Sequence, residues 1–578
     1  MSSNFTCSPG LTMHLFVNSS PSIPKQSLPP LLMQEKGREI DNSDLPTNVT
    51  ISLLPKPTPF ESITFVTMSN HSPEILRAAV HIGASHASMI ILRISEDGTE
   101  ERVDFLEKNI PLGRDIFGYG KILASTIEQA VSVIRGFQES LAELGLHDIP
   151  VRAVTTNTLD EAANAEVFLN RLHIACKWQF KSLDDGEMTR LVFLKTRRRL
   201  EDTPSMQRRN TIVAHVGPGN ARLILSKRGR IVRYQSYRLG THRCWERLQS
   251  PDLTGEPIIR LIREQISGLI AQILYDFGEE DVEDLIMIGT EIQMLAPYLS
   301  KPHKTKSRYR ILRQLTSDIA SLTEPERVKN YNLDYQTAGT VLPALVINAS
   351  IAESFGLETL RVSRSDYEEG LLTDLAHPDA AHDELKSQLL HSSKLTAKKF
   401  GCDMRHARHV AHLSGRLFEE TRNLHGLSDH DALLLEVAAI LHEVGNHISP
   451  KSHELHGLYI IRHSEIFGLS DHDRLLVALI TRYHRKAAPQ LSHLHYDKLT
   501  QSDRIRVAKL SSILRVADAL ERTHSQRIKD LTVSLGEGKA TLNLEGILDA
   551  SAERLALPSK ADLFQNLFGL KLILSENA

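Results

Sequence analysis

Two tandem α/β units, an all-α domain and a small α+β tail are the architecture that the residue pattern of this chain predicts. Strand–helix alternation runs through twice between about residues 69 and 375. Strand patterning stops after about residue 384, and a hairpin–helix–strand pattern closes the chain from residue 529 to 578. The 578 residues leave room for about three to four domains of ~150 residues each.

Residues 1–67 precede the patterned sequence. The first 60 residues hold 9 of the 24 prolines, broken by serine-rich stretches such as VNSSPSIPKQSLPPLL. Proline at this density removes backbone donors and blocks regular structure, so this extension is expected to be disordered, with folded sequence starting near Met68. It offers no basic start followed by a long apolar stretch, so a signal peptide is not expected.

The first unit, 68–200, opens with two strands around the Asp97–Gly98 turn. An amphipathic helix in ASTIEQAVSVIRGFQESLAELG follows, then the buried strand PVRAVTT and a helix in DEAANAEVFLNRL. The second unit, 201–375, resumes with NTIVAHVGPGNARLILSKRGRIVRYQSY, which contains a hairpin. Similar element order in both suggests a duplicated α/β architecture. From 384 to 528 the apolar spacing is helical throughout, as in HDALLLEVAAILHEVG and DRIRVAKLSSILRVADALERTH.

Composition excludes several classes. Apolar residues at 41% and charged residues at 24% are ordinary for a globular chain. A formal charge of −3 excludes a bulk electrostatic tether to nucleic acid or membrane, while leaving a local patch open. No run of 18 apolar residues predicts a transmembrane helix. Cys7, Cys176, Cys244 and Cys402 have no CxxC spacing, which argues against a disulfide framework or zinc ribbon. Histidine is the outlier: 14 of 27 fall between residues 401 and 500.

Segments across about residues 70–578 resemble the exopolyphosphatase/guanosine pentaphosphate phosphohydrolase (Ppx/GppA) family. They include AVHIGASHASMIIL, LDDGEMTRLVF, IVAHVGPGNARLIL, DYEEGLL, HARHVAHLSGRLFEE, AAILHEVG and LSSILRVADALERTH, in the family's order. The resemblance implies an actin-like (ribonuclease H-like) two-lobed phosphotransfer fold followed by an HD-type helical domain. It also implies hydrolysis of phosphoanhydrides in polyphosphate or guanosine pentaphosphate, a divalent metal, a cytoplasmic location and a homodimer.

Such cleavage needs charge neutralisation, a divalent metal and a carboxylate that positions water. By resemblance, two small-residue loops cradle phosphate, here through Gly83 and Ser85 and through Gly217, Gly219 and Asn220. This chain departs from the family at the polar positions. His81 and His215 stand where the loops carry Asp, Pro218 where they carry Gly, and Arg222 where they carry Glu. In the Glu-Glu-Ala-Arg segment Glu187 and Arg190 remain, but Met188 occupies the catalytic Glu position. Asp160 and Glu368 replace two arginines. Methionine cannot accept a proton, and Mg²⁺ prefers oxygen to imidazole. Three readings of this site stay open: an inert cleft, a cleft that binds a phosphorylated ligand without cutting it, and a rescued enzyme. The rescued enzyme would have Glu187 as catalytic group and a softer metal on His81 and His215.

In the helical domain the HD resemblance places metal ligands at His406, His442, Glu443, His456, His484 and Asp518, with His453 nearby. Glu443 replaces the usual Asp of the His-Asp pair. Imidazole and carboxylate together suit Mn, Fe or Zn, with Mg less favoured. Basic runs at 195–199, 301–313 and 482–486 could track a polyanion or be solvated faces. They lack the interleaved aromatics that would suggest nucleic acid. Three functions therefore compete: a phosphoanhydride hydrolase of weakened activity at the actin-like site, a non-catalytic phosphorylated-ligand sensor, and a phosphohydrolase using the helical site.

Overall fold

The computed structural model describes residues 75–200, 208–248, 253–302, 304–363, 367–377 and 382–577. The proline-rich extension expected over 1–67 lies outside the described residues, as do the side chains of the basic run 195–199.

The first sheet takes strands β1 (Ile75–Ile82), β2 (His86–Ile94), β3 (Glu100–Asn109), β4 (Val151–Thr156) and β5 (Lys181–Leu183) in the order β3-β2-β1-β4-β5. β1 pairs antiparallel with β2 and parallel with β4. The second sheet repeats this plan with β6 (Asn210–Val216), β7 (Ala221–Lys227), β8 (Arg230–Tyr237), β9 (Asp284–Ile288), β10 (Lys306–Arg308) and β11 (Thr359–Val362) in the order β10-β11-β9-β6-β7-β8. β6 is antiparallel to β7 and parallel to β9. Two sheets with the same central order, each opening on a hairpin, make the actin-like architecture. Their centres are near-continuous apolar runs, as β6 and β9 show, because helices cover both faces.

Each opening hairpin closes tightly. The Gly83 N–H donates to His86 O (2.9 Å) and the Gly217 N–H to Asn220 O (3.0 Å). At Gly219 a Cβ would sit 2.7 Å from Thr158 Oγ1 and 2.9 Å from the Phe117 ring, so only glycine lets the second loop meet the first lobe here.

The helix Tyr367–Ala376 follows the second sheet in sequence but packs on β1 and β2 of the first. Leu371, Leu372 and Leu375 share one apolar cluster with Ile90 and Leu92. A boundary of lobe II at residue 375 therefore runs through a helix that structurally belongs to lobe I.

The helical half comprises His382–Lys399, Met404–Glu420, Asp429–Leu441, His453–Arg462, Asp471–Arg482 and Gln501–Leu520. Ser428, Ser470 and Thr500 each accept the N–H of an Asp three residues on. That S/T-x-x-D pattern is the sequence signature of a helix start. Arg506 then ties two of these caps together, at 2.8 Å from both Asp431 and Asp503. The tail is the sheet β12 (Asp530–Gly536), β13 (Lys539–Glu545) and β14 (Lys571–Asn577), with β13 central. No helix among the described residues is long and apolar enough to cross a membrane. Cys176, Cys244 and Cys402 are free thiols.

The helical half is keyed into the lobes by Phe467. Its buried ring meets Phe193 of the first lobe edge-on at 5.3 Å and Tyr234 of the second at 5.9 Å. Alongside, the Asp471 N–H donates to Asp184 Oδ2 (2.6 Å), and Leu469 O would lie 2.2 Å from a Cβ on Gly186. Phe467→Ala should therefore cost ~3–5 kcal/mol. Denaturant unfolding should show this loss, with the helical half released at lower denaturant than the lobes.

Candidate functional site

Two clusters gather the residues singled out from sequence. The first is the interlobe cleft. His81, Gly83, Ser85, His215, Gly217, Gly219, Asn220, Arg222, Met188 and Glu368 all line one cavity of about 60 Å³. By volume this admits a few waters, whereas small-molecule sites run to ~300–1,000 Å³.

Charges in the cleft are satisfied from within. Glu368 lies in the first turn of the helix Tyr367–Ala376 and contacts His81 Nδ1, with His86 Nε2 at 3.7 Å from its other oxygen. Burial works to raise the Glu368 carboxyl, but the two histidines outweigh it and hold it well below the usual carboxylate range. The departures at positions 81 and 368 thus compensate each other: a carboxylate and its nitrogen-bearing partner have exchanged places. Arg222 likewise donates to Asp185 Oδ1 (2.6 Å) and Asn157 Oδ1 (3.3 Å), joining the second lobe to the first. Arg243 adds a lobe-to-lobe contact at 2.5 Å to Glu161 and lies 4.5 Å over the Phe117 ring.

The candidate phosphate donors are partly consumed. Gly83 and Gly217 use their N–H groups inside their own hairpins, and Pro218 has none. Ser85 Oγ lies 3.0 Å from His242 Nε2, and burial pushes the His242 imidazole down to about 4. Burial also raises the Glu291 carboxyl, which accepts from Thr241 Oγ1 at 2.7 Å. His86 and His242 were not evident as site residues, because a lone histidine opening a strand or lying in the short helix Thr241–Trp245 carries no spacing signal.

Glu187 does not line the cavity. It is the third helical residue after the cap Asp184: the Glu187 N–H donates to Asp184 Oδ1 (2.8 Å), and Glu187 Oε1 pairs with Lys181 at 2.9 Å. This is a capping box, which accounts for the retained glutamate without catalysis. Asp160 receives Ser182 Oγ at 3.0 Å outside the cavity. Met188 is 3% exposed and packs with Leu191 and Val192.

The second cluster lies in the helical half. His406 on Met404–Glu420, His442 at the end of Asp429–Leu441 and Asp518 on Gln501–Leu520 bring ligand atoms within 4.8 Å of one another. Nε2 of His406 and of His442 are 3.2 Å apart, and Asp518 Oδ1 lies 3.9 and 3.8 Å from them. Two ligands at ~2.0–2.1 Å from one tetrahedral ion stand ~3.3 Å apart, so this spacing suits shared coordination. His484 and His453 add a second pair, Nε2 to Nε2 at 3.1 Å, with the His484 ring 5.3 Å from that of His442.

Tautomers here follow from the backbone. His442 Nδ1 faces Ala439 O at 2.7 Å and His484 Nδ1 faces Thr481 O at 2.6 Å. A carbonyl only accepts, so each Nδ1 carries the proton and each Nε2 offers a lone pair, the arrangement that metal-ligating histidines adopt. Burial holds His484 well below its ordinary value and His406 at about 3, so both rings are neutral at pH 7. His406 Nδ1 is buried without a hydrogen-bond partner among the described residues. This donor set fits Mn, Fe or Zn.

Asp518 has a competing cation. Burial works to raise its carboxyl, but the Lys560 ammonium, with His442 and His484, holds it far below the usual range. Lys560 touches Asp518 Oδ2 and comes from the tail, 42 residues away in sequence, so nothing in the HD-like spacing announces it. His524 stacks on His406 at 3.6 Å and forms with Glu443 a second grouping around His406. His456 is half-buried and enters neither grouping. The described basic side chains of 301–313 are exposed along β10 and the helix after it, away from both clusters.

The Glu368 pairing sets a pH dependence. Its folded value lies below the ordinary 4.5, so its stabilisation is complete above that pH and is lost as pH falls towards the folded value. Glu368→Gln should destabilise the protein by ~3–5 kcal/mol at pH 7, the cost of leaving a buried partner unpaired. The gap from wild type should narrow below about pH 4.5 in urea titrations.

Comparison with known proteins bears on the family of the chain. Residues 106–378 match the Ppx/GppA phosphatase family, and residues 391–560 match Ppx/GppA phosphatase domain III. A guanosine-5'-triphosphate,3'-diphosphate pyrophosphatase of Pseudoalteromonas atlantica is 23% identical over 465 residues, covering 79% of this chain and 88% of that protein. The protein of that name from Vibrio parahaemolyticus is 20% identical over 483 residues, covering 83% and 93%. Among solved structures, an exopolyphosphatase from Cytophaga hutchinsonii aligns with 52% of this chain and 98% of its own, at 16% identity and TM-score 0.46. With both family segments matched in order across the lobes and the helical half, the chain belongs to the Ppx/GppA phosphatase family.

Proposed function

We propose that this family member is a metal-dependent phosphohydrolase of phosphoanhydride substrates, inorganic polyphosphate or guanosine pentaphosphate, and that turnover resides in the helical half rather than in the interlobe cleft. The carrying observation is the convergence of His406, His442 and Asp518 from three helices, with the Nε2 lone pairs of His442 and His484 fixed inward. Among the described residues the cleft forms no such ligand grouping: Glu368 and Arg222 are paired, Glu291 accepts from Thr241, and Met188 stands where the family carries the proton acceptor.

His406, His442 and Asp518 would hold a Mn, Fe or Zn ion, with His453 and His484 as a second pair of donors. A divalent ion there supplies Lewis-acid polarisation of a phosphoryl oxygen. The residues around it supply the rest. Lys560 releases Asp518 and turns its ammonium to the phosphate, whose charge it offsets. Arg485 and Lys486, now held on Glu454, form a cationic rim for the remaining phosphates. The helical turn of the tail, which carries no HD-like motif, thereby becomes part of the site through Lys560. The protein acts in the cytoplasm as a homodimer, as the family resemblance implies.

A second reading rests on the same lysine. If Lys560 stays on Asp518, it neutralises the carboxylate and the protein senses a phosphorylated ligand without cutting it. Phosphate release in the presence of Mn²⁺, Fe²⁺ or Zn²⁺ separates the readings. Wild type should release phosphate, the His442→Ala/Asp518→Ala double variant should lose at least ~10²-fold in rate, and Glu187→Gln should be unaffected. Loss in Glu187→Gln with full activity in the double variant would return the chemistry to the cleft. Binding without release under every metal would leave the sensor reading.

A further inference from the structure

Where the second lobe meets the helical half lies a separate cavity of about 360 Å³, lined by Arg230, Gln388, His391, Lys394, Lys398 and Arg408 among others, with no acidic residue in its wall. Its cations arrive from three elements. Arg230 opens β8 just after the turn Arg228–Gly229, where both residues have positive φ (50° and 78°). Lys394 and Lys398 stand one turn apart on His382–Lys399, and Arg408 lies on Met404–Glu420. Gln388 is buried and its Oε1 accepts the Ile231 N–H at 3.3 Å, which pins the hairpin to the helix and fixes the spacing of the cations.

These charges have no counterpart in the wall. Among the described residues, Arg230, Lys394, Lys398 and Arg408 form no ion pair with a carboxylate, in contrast to Arg222, Arg243, Arg506 and Arg527, which all do. The helix dipole explains a cation at Lys398, in the last turn of its helix, but not Arg230 or Arg408 on other elements. Burial, then Arg230, Lys394 and Lys398, depress the His391 imidazole, so it faces the cavity as a neutral hydrogen-bonding group. Converging like charges of this kind are stabilised by a polyanion, and arginine forks bind phosphate oxygens in pairs.

We propose that this junction cavity is a binding site for a short phosphate chain of about three phosphates, borne by an inorganic oligophosphate or by a nucleoside polyphosphate. At about one charge per phosphate, such a chain balances most of four cations. The volume falls in the ~300–1,000 Å³ range of small-molecule sites. The site shares no residue with the interlobe cleft or the histidine cluster, so it stands whether or not either one turns over. It is also placed to communicate: β7 and β8, joined by the Arg228–Gly229 turn beside Arg230, reach the interlobe cleft at their other end through Arg222.

Isothermal titration calorimetry on the full-length protein tests this, with inorganic tripolyphosphate and GTP as probes at low and high salt. The expected result is saturable binding of at least one probe that weakens as salt rises. Arg230→Glu/Lys394→Glu should weaken it by at least about tenfold. Lys306→Glu/Arg308→Glu, which removes equal charge from the exposed edge strand β10, should leave it intact. Tighter tripolyphosphate binding assigns an inorganic chain and tighter GTP binding a nucleotide. If the double-Glu variant fails to fold by circular dichroism, Arg408→Ala replaces it and should show a smaller loss of the same sign. No binding of either probe at low salt would overturn the proposal. So would equal affinity in the Arg230 and Lys394 variant, equal loss in the Lys306 and Arg308 variant, or equal affinity for an oligoglutamate peptide of matched charge.

Discussion

The contact between His81 and Glu368 sets the character of the cleft between the lobes. A carboxylate this deeply buried must find a partner, because an unpaired charge in a low-dielectric interior costs more than packing can return. Here the partner is internal. Arg222 with Asp185 and Arg243 with Glu161 solve the same problem in the same way, and both pairs cross from one lobe to the other. The cleft is therefore closed by charges that would otherwise face a ligand. A cavity of about 60 Å³ is the geometric result, and Met188 in an apolar setting is its chemical counterpart.

The helical half stands in the opposite condition. Backbone carbonyls of Ala439 and Thr481 fix the protons of His442 and His484, so their lone pairs turn inward on Asp518. Burial keeps the His406 and His484 rings neutral. What neutralises Asp518 in this arrangement is Lys560, a residue brought by the helical turn between β13 and β14. In the cleft Glu368 and Arg222 are paired within the protein, while the helical half gathers inward-facing imidazole lone pairs beside Asp518. Phe467, wedged against both lobes, keeps the two regions in one body, so a loss of packing there should be felt at both.

Much of the fold was legible because it rests on periodicity: alternating strands and helices in two rounds, then helical spacing alone, then a short hairpin–helix–strand tail. The caps at Ser428, Ser470 and Thr500 were equally open to reading, since each is a local four-residue signal. The helix Tyr367–Ala376 was not, because its leucine spacing specifies a buried face but not which sheet buries it. At the sites, His406, His442 and Asp518 could be assembled by resemblance, as their order follows the helices. Lys560 could not, since it comes from another element and carries no pattern. The most instructive case is Glu187. The rescued-enzyme reading moved catalysis onto it from the neighbouring position of Met188, while Asp184 three residues before it already spelled a capping box. Positions 81 and 368 were each visible as departures, but their mutual compensation needed the fold to bring them together.

Anomalous diffraction from crystals grown with Mn²⁺ tests the central claim most directly, because it locates the ion without reference to any substrate. The account places the peak between His406, His442 and Asp518, with Lys560 displaced from the carboxylate. A peak between the lobes at His81, His215 or Glu368, with the helical cluster empty, would contradict it.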